Sequence, residues 1–319
     1  MRVFLKKVFL FVGSLLLFVL VILLSNRYIL LKNTPVYSTS KHILFLGDSN
    51  SECAFNDSII ATGINLSSSS ESYFLTYLKL REIKRKNPHI DTVVLAFSPL
   101  NIWKEEQGIQ LDMFRGCFHN YYSWMNREDF TYLINTYPLA VNSLFQSLLK
   151  PAIKNNIKFI ARRKIEPSVG RYFALERSIL PEVLRKLKNN EPLPYFKLPS
   201  KPILSSIEFL YLKKIIQLCS KKHICLLLFN TPKRKELIND SRYKNFLTKQ
   251  LYLKYFSKIL YIDCSRLELP DSNYGDLVHL NKIGSTHFST LIQQKGLTYF
   301  ARKYQVKSIT DNFQEKNSY

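Results

Sequence analysis

The chain has 319 residues, 46% of them hydrophobic and 13% aromatic, enough to bury a sizeable core in one large domain or two small ones. Nine glycines and 13 prolines without a period exclude collagen-like and linker-like composition, and no solenoid repeat is present. The formal net charge of +22 suits anionic surroundings such as lipid head groups or an acidic surface glycan, although lysine-rich composition also simply keeps a domain soluble.

Residues 8–24 form an uncharged apolar run just long enough to cross a bilayer, more comfortably if residues 28–31 extend it. It reads as one uncleaved membrane span, because it exceeds an ordinary signal-peptide core and no small-x-small cleavage site follows it. Arg2, Lys6 and Lys7 before the span put the N-terminus in the cytoplasm, against the weaker pull of Arg27 and Lys32. The rest of the chain is then expected to be periplasmic or extracellular, where nucleic acid is not a partner. The expected organisation is an anchor over 1–32, a linker over 33–41, an α/β domain over 42–103 and 205–305, an insert over 104–204 and a polar tail over 306–319.

Residues 42–46 predict a short buried strand ending on Gly47, and 64–66 a second one ahead of four serines. Tyr73, Tyr77, Leu80 and Ile83 recur at helical spacing within 72–86, and the β-branched run 92–97 predicts a third strand. Helix over 210–221, strand over 223–229, helix over 235–256 and strand over 259–262 continue the alternation. Uninterruptedly apolar strands alternating with helices imply a three-layer α/β fold, a parallel sheet covered on both faces. The insert is too long for an ordinary connection, so it is expected to be largely helical, for instance over 127–149 and 175–188, with Pro192, Pro194, Pro199 and Pro202 forming an extended return. Its Trp103, Tyr121, Tyr122 and Trp124 suit either a core or sugar-stacking faces.

The chemistry concentrates in two short motifs. Gly47-Asp48-Ser49 follows the first strand, where Gly47 permits a tight turn and Ser49 stands exposed as a nucleophile whose own N–H can face an oxyanion. Far downstream, Asp276-Leu-Val-His279 precedes a C-terminal helix starting near Gly284. The three-residue offset lets the carboxylate reach Nδ1 while Nε2 faces the serine. His287, eight residues on, is expected to be a surface or packing residue. The five cysteines, at 53, 117, 219, 225 and 264, follow no metal-ligand spacing, and those at 53, 225 and 264 are expected to be small buried hydrophobes with free thiols. There is no paired-Cys, His-Glu-x-x-His or phosphate-loop pattern, so neither metal nor cofactor is expected.

The order of these motifs, a nucleophile at the first strand and Asp-x-x-His before the last helix, resembles the SGNH (GDSL) hydrolase family over about 42–300. The resemblance implies a flavodoxin-like sheet and a serine esterase or O-acyltransferase whose catalytic residues would be Ser49, His279 and Asp276. It also asks for oxyanion donors after the second and third strands. Ser70, or its neighbour Ser69, stands where the family has Gly, and Asn101, or Ser98, where it has Gly-x-Asn-Asp. These departures look more like divergent members that act on cell-surface polymers. They imply an acylated glycan or lipid-linked substrate and a partner membrane acyltransferase, or, in the other class, an inactive membrane-tethered scaffold or glycan-binding protein.

Overall fold

A computed structural model describes residues 1–103, 118–138, 141–163, 165, 169–179, 183, 185–186, 189, 191, 203–240 and 242–306. It divides into two compact units. The first comprises residues 1–36, 78–86 and 106–168, and the second 37–77, 87–105 and 169–319.

The second unit is built on a five-stranded sheet. Its strands are β1 (Ile43–Leu46), β2 (Gly63–Asn65), β3 (Thr92–Ala96), β4 (Cys225–Asn230) and β5 (Leu260–Asp263). They lie in the order β2-β1-β3-β4-β5 and every pairing is parallel. This is the flavodoxin-like doubly wound order. Strand residues alternate between two covered faces. Phe45, Val94, Phe229 and Ile262 join one apolar cluster with Phe55, Phe288, Ile292 and Phe300, the last three from α10 (Lys282–Tyr304). Phe45 stacks on Phe55 with centroids 4.2 Å apart, and Phe55 meets Phe229 edge-on at 5.4 Å. Full burial of one such side chain contributes about 1.5–3 kcal/mol, so this face alone supplies much of what holds the sheet.

On the same unit, α2 (Ser49–Ala54) and α4 (Pro99–Ile102) start directly beyond β1 and β3. Ser206–Lys221 forms α7, Lys235–Asp240 α8 and Arg242–Tyr255 α9. The helix predicted over 235–256 is thus two helices. Tyr73–Lys86 forms α3, in agreement with its periodicity. Its first N–H is held by the buried carboxylate of Glu208, 2.7 Å away.

In the first unit, α1 (Arg2–Lys32) is one helix of 31 residues, and its most apolar stretch has a mean hydropathy of 3.0 with none of it buried. It is long and apolar enough to span a membrane. Arg127–Thr136 forms α5, opened by a capping box between Asn126 and Asp129, and Val141–Ile160 forms α6. The single helix expected over 127–149 is interrupted because Pro138 disfavours helical backbone at Tyr137, which leaves α5 at φ −131°. Tyr121, Tyr122 and Trp124 are buried at 2–5% exposure, so these rings serve as core rather than sugar-stacking faces. Lys79 lies 5.7 Å above the Tyr121 ring, and Arg81 pairs with Asp129 at 2.7 Å.

Other expectations are corrected. Residues 171–179 are irregular, so the helix expected over 175–188 does not begin at Leu175, although residues 183, 185 and 186 within it are helical. Their backbone bonds run to distant partners: Arg171 N donates to Ser67 O, Phe173 N to Glu52 O, and Leu175 O accepts from Lys282 N. Gly170 opens the segment at φ 96°, where a side chain would collide with the carbonyls of Leu66 and Ser67. The strand expected from His223 begins at Cys225, because His223 is a turn residue at φ 52°. Cys53 and Cys264 are buried free thiols as expected, and Cys219 is another, but Cys225 is exposed. Cys117 and the four prolines of the return path lie outside the described residues.

Candidate active site

In a doubly wound sheet the strand order reverses at one point, and the crevice beyond the carboxyl ends of the strands there is open to a ligand. Here that point lies between β1 and β3, the strands that lead into Ser49 and Asn101. Gly47 makes the first turn at φ 145°, where any Cβ would strike that of Ala96 in β3. The turn therefore requires glycine for space as well as for conformation. Asp48 then caps α2, its Oδ1 accepting from Asn50 N at 3.0 Å. Ser49, the first residue of the helix, has an N–H without an intrahelical partner.

His279 Nε2 lies 2.8 Å from Ser49 Oγ. Its Nδ1 lies 2.9 Å from Asp276 Oδ2 and 3.0 Å from Oδ1. The carboxylate is itself fixed, since Oδ1 accepts from the backbone N–H of Val278 and of His279, both at 2.8 Å, and Oδ2 from Arg177 at 2.6 Å. Burial is the largest single influence on Asp276 and would raise its pKa. The hydrogen bonds and charge of His279, with the Val278 N–H, outweigh it and hold the carboxyl well below its ordinary range. Asp276 thus stays ionised, and its charge favours the Nδ1–H tautomer that leaves Nε2 to accept from the serine.

Asn101 belongs to the same cluster. Its Nδ2 donates to Asp48 Oδ2 at 2.9 Å, and its Oδ1 accepts from Ser98 Oγ at 2.8 Å. These two bonds fix the amide's orientation and leave its second N–H available. Ser98 thus helps to orient the Asn101 amide. Leu100 packs against Leu277 and Val278, tying α4 to the Asp276–His279 loop. The serines after β2 are less closely tied to this cluster. Ser68 N donates to Gly47 O at 3.0 Å, and the Ser69 hydroxyl bonds Glu52 of α2. Ser70 is exposed in left-handed backbone at φ 60°.

One residue escaped the sequence reading. Lys233 stands in the run Lys233-Arg234-Lys235, which reads as a solvated charge cluster, yet Lys233 and Arg234 are 7% and 5% exposed. Lys233 Nζ donates to Asn50 Oδ1 at 3.0 Å, and Asn50 Nδ2 donates to Asp48 Oδ2 at 2.9 Å. A chain of polar groups thus runs from the buried Lys233 through Asn50 and Asp48 to the part-buried Asn101. Burial lowers the Lys233 pKa to about 8, against the opposing pull of Asp48, Asp263 and Asp276. The available signal was position, because Lys233 comes just after Asn230-Thr231-Pro232 at the carboxyl end of β4. Lys233 also lines a cavity of about 730 Å³ with Arg234, Glu236, Arg266, Leu267, Leu269 and Tyr274, a mixed charged and apolar wall.

A competing nucleophile is disfavoured. Cys53, on α2, has its thiol pushed up to about 12 by burial first and by Glu52, Asp276 and Asp48 next. His287 is an exposed surface residue on α10, with Nδ1 2.9 Å from Asn273 Nδ2. Among the described residues no group of three or more His, Cys, Asp or Glu is arranged to hold a metal ion.

The model of an uncharacterised family matches residues 185–300, a stretch containing Asp276 and His279 but not Ser49. No curated protein matches the chain. Solved structures do match, among them one from Bacteroides fragilis described as "a putative acylhydrolase". It is 11% identical, with a TM-score of 0.35, over 84% of this chain and 92% of that one.

Proposed function

We propose that the protein is a membrane-anchored serine esterase or O-acyltransferase of the SGNH type. The observation that carries this reading is the 2.8 Å contact between Ser49 Oγ and His279 Nε2, with Asp276 on the opposite ring nitrogen. In the reaction His279 Nε2 accepts the Ser49 proton as Oγ attacks the ester carbonyl. The Ser49 N–H and the second N–H of Asn101 are the donors best situated for the oxyanion, with Ser69 or Ser70 as a third contributor. Collapse expels the alcohol, which takes its proton from His279, and leaves an ester on Ser49. Water or a glycan hydroxyl, deprotonated by His279, then attacks that ester and releases Ser49.

An apolar helix of spanning length and a charge of +22 support work close to a membrane, on an acylated glycan or lipid-linked substrate. A partner membrane acyltransferase would supply acyl groups in the transfer variant of this reading. The domain division at about 42, 104, 205 and 306 is part of the same proposal, as is a cytoplasmic N-terminus with the catalytic domain outside.

The reading is tested by labelling the full chain in detergent with a fluorophosphonate, comparing wild type, Ser49→Ala and His279→Ala. Labelling of wild type, none of Ser49→Ala and a rate about 10³-fold lower or less for His279→Ala are expected. Equal labelling of wild type and Ser49→Ala would overturn it.

A further inference from the structure

Helix α6 carries three stripes, each with four-residue spacing. Leu144, Leu148 and Ala152 are buried, and the next member, Asn156, donates from Nδ2 to the carbonyl of Ile22 in α1 at 2.9 Å. Phe145, Leu149, Ile153 and Ile157 form a second stripe, part-buried at Leu149 but 39%, 40% and 61% exposed at the other three, and Phe159 and Ile160, the latter 81% exposed, add apolar surface at the helix end. Lys150, Lys154 and Lys158 form the third, and Arg162 and Arg163 follow just beyond the helix end. Residues four apart share a face, so a helix packed by its first stripe bares an apolar edge beside a basic one.

The direction of α6 follows from what each helix covers. On α1 the buried residues are Asn26, Ile29 and Leu30, all beyond Ile22, whereas the apolar stretch before it is uncovered. On α6 the buried residues all precede Asn156. The two helices therefore run antiparallel, and residues 157–160 extend past Ile22 towards the middle of the apolar run. At 1.5 Å per residue, Ile160 reaches about 6 Å further along that run than Asn156 does. The chain then turns back at once, with Arg162 at φ 53° and Arg163 N bonded to Lys158 O at 2.8 Å.

If α1 spans a bilayer, Ile157, Phe159 and Ile160 are level with acyl chains and not with water. We infer that the C-terminal half of α6 is a second membrane element. It would sit in the boundary between head groups and acyl chains, its apolar stripe against lipid and its basic stripe against anionic head groups. Lys154, Lys158, Arg162 and Arg163 have stems long enough to return their charges to the head-group layer. Such a collar would fix the tilt and rotation of α1, which a lone apolar helix does not specify.

The test uses the full chain with Cys117→Ser and Cys225→Ser, one copy per nanodisc of phosphatidylcholine with about one-third phosphatidylserine. A fluorophore is placed at Ile157→Cys, Ile160→Cys, Leu16→Cys or Phe246→Cys in turn. Nitroxide lipids should quench positions 157 and 160 at least half as much as position 16, and leave position 246 unquenched. Aqueous iodide should quench only position 246. Iodide quenching at 157 and 160 equal to that at 246 would overturn the inference, as would protection from both quenchers, which would mean a protein covers the face. If position 16 is itself unquenched by lipid, the span reading falls and this inference with it. Quenching at 16 without quenching at 157 and 160 refutes the inference alone.

Discussion

Two carboxylates flank Ser49 in contrasting surroundings. Asp48 is buried, and its oxygens are taken by Asn50 and Asn101, with the Lys233 ammonium one residue further along the chain of bonds. Asp276 sits at the rim, about one-third exposed, and shares its oxygens among His279, two backbone N–H groups and the surface residue Arg177. Under the proposed function the same functional group would do two jobs because its neighbours differ. Around Asp48 the partners are fixed amides that cannot take up a proton during a reaction, so the network holds geometry. Around Asp276 the partner is an imidazole, so the pair can carry the charge that a proton transfer creates.

The contrast breaks most sharply at Asp276→Asn. An amide there cannot favour the Nδ1–H tautomer, and hydrolysis of a short-chain ester should fall by about 10²–10⁴ with the thermal midpoint nearly unchanged. A loss below tenfold would show that His279 does not depend on this partner. Asn101→Ala should cost about 10²–10³ in kcat with little change in KM, the signature of a donor used in the transition state. A rise in KM at constant kcat would instead make Asn101 a binding residue.

These residues also show what a reader of the sequence could and could not see. The Gly47 turn and the Asp276–His279 pair were legible because both are local, whereas the meeting of Ser49 with His279, 230 positions apart, was expected only from the resemblance, and the strands were legible because parallel strands are continuously apolar. Lys233 was hidden because its burial depends on Asn50, 183 positions away. Residues 175–179, expected to open a helix, are irregular for the same reason, since the backbone bonds of 171–175 go to Ser67, Glu52 and Lys282 and leave no periodic trace. The break between α5 and α6, in contrast, was written locally at Tyr137-Pro138.

The buried groups should be visible in stability. Burial depresses Lys233, so between about 8 and the ordinary lysine value of 10.5 the unfolded chain binds more protons and stability rises with pH. Burial raises Glu208 to about 7, against the Tyr73 N–H, so between 4.5 and about 7 the folded chain binds more protons and stability falls with pH. Melting the full chain across these ranges should show both slopes, with Lys233→Met removing the alkaline one and Glu208→Gln the acidic one. Slopes unchanged in these variants would mean that neither group titrates as its burial requires.

The smallest effect is expected at Arg177→Gln. Arg177 is 64% exposed, and a solvated ion pair contributes roughly 0–1 kcal/mol, so activity should change by no more than about fivefold. A larger loss would move Arg177 into the catalytic machinery and weaken the distinction between rim and buried network.

The most direct measurement is the intact mass of the protein quenched in acid during turnover of an activated short-chain ester. The account predicts one added acyl group per chain, mapped to the peptide containing Ser49 and absent from Ser49→Ala. Turnover without any acylated chain, or acylation that persists in Ser49→Ala, would contradict it.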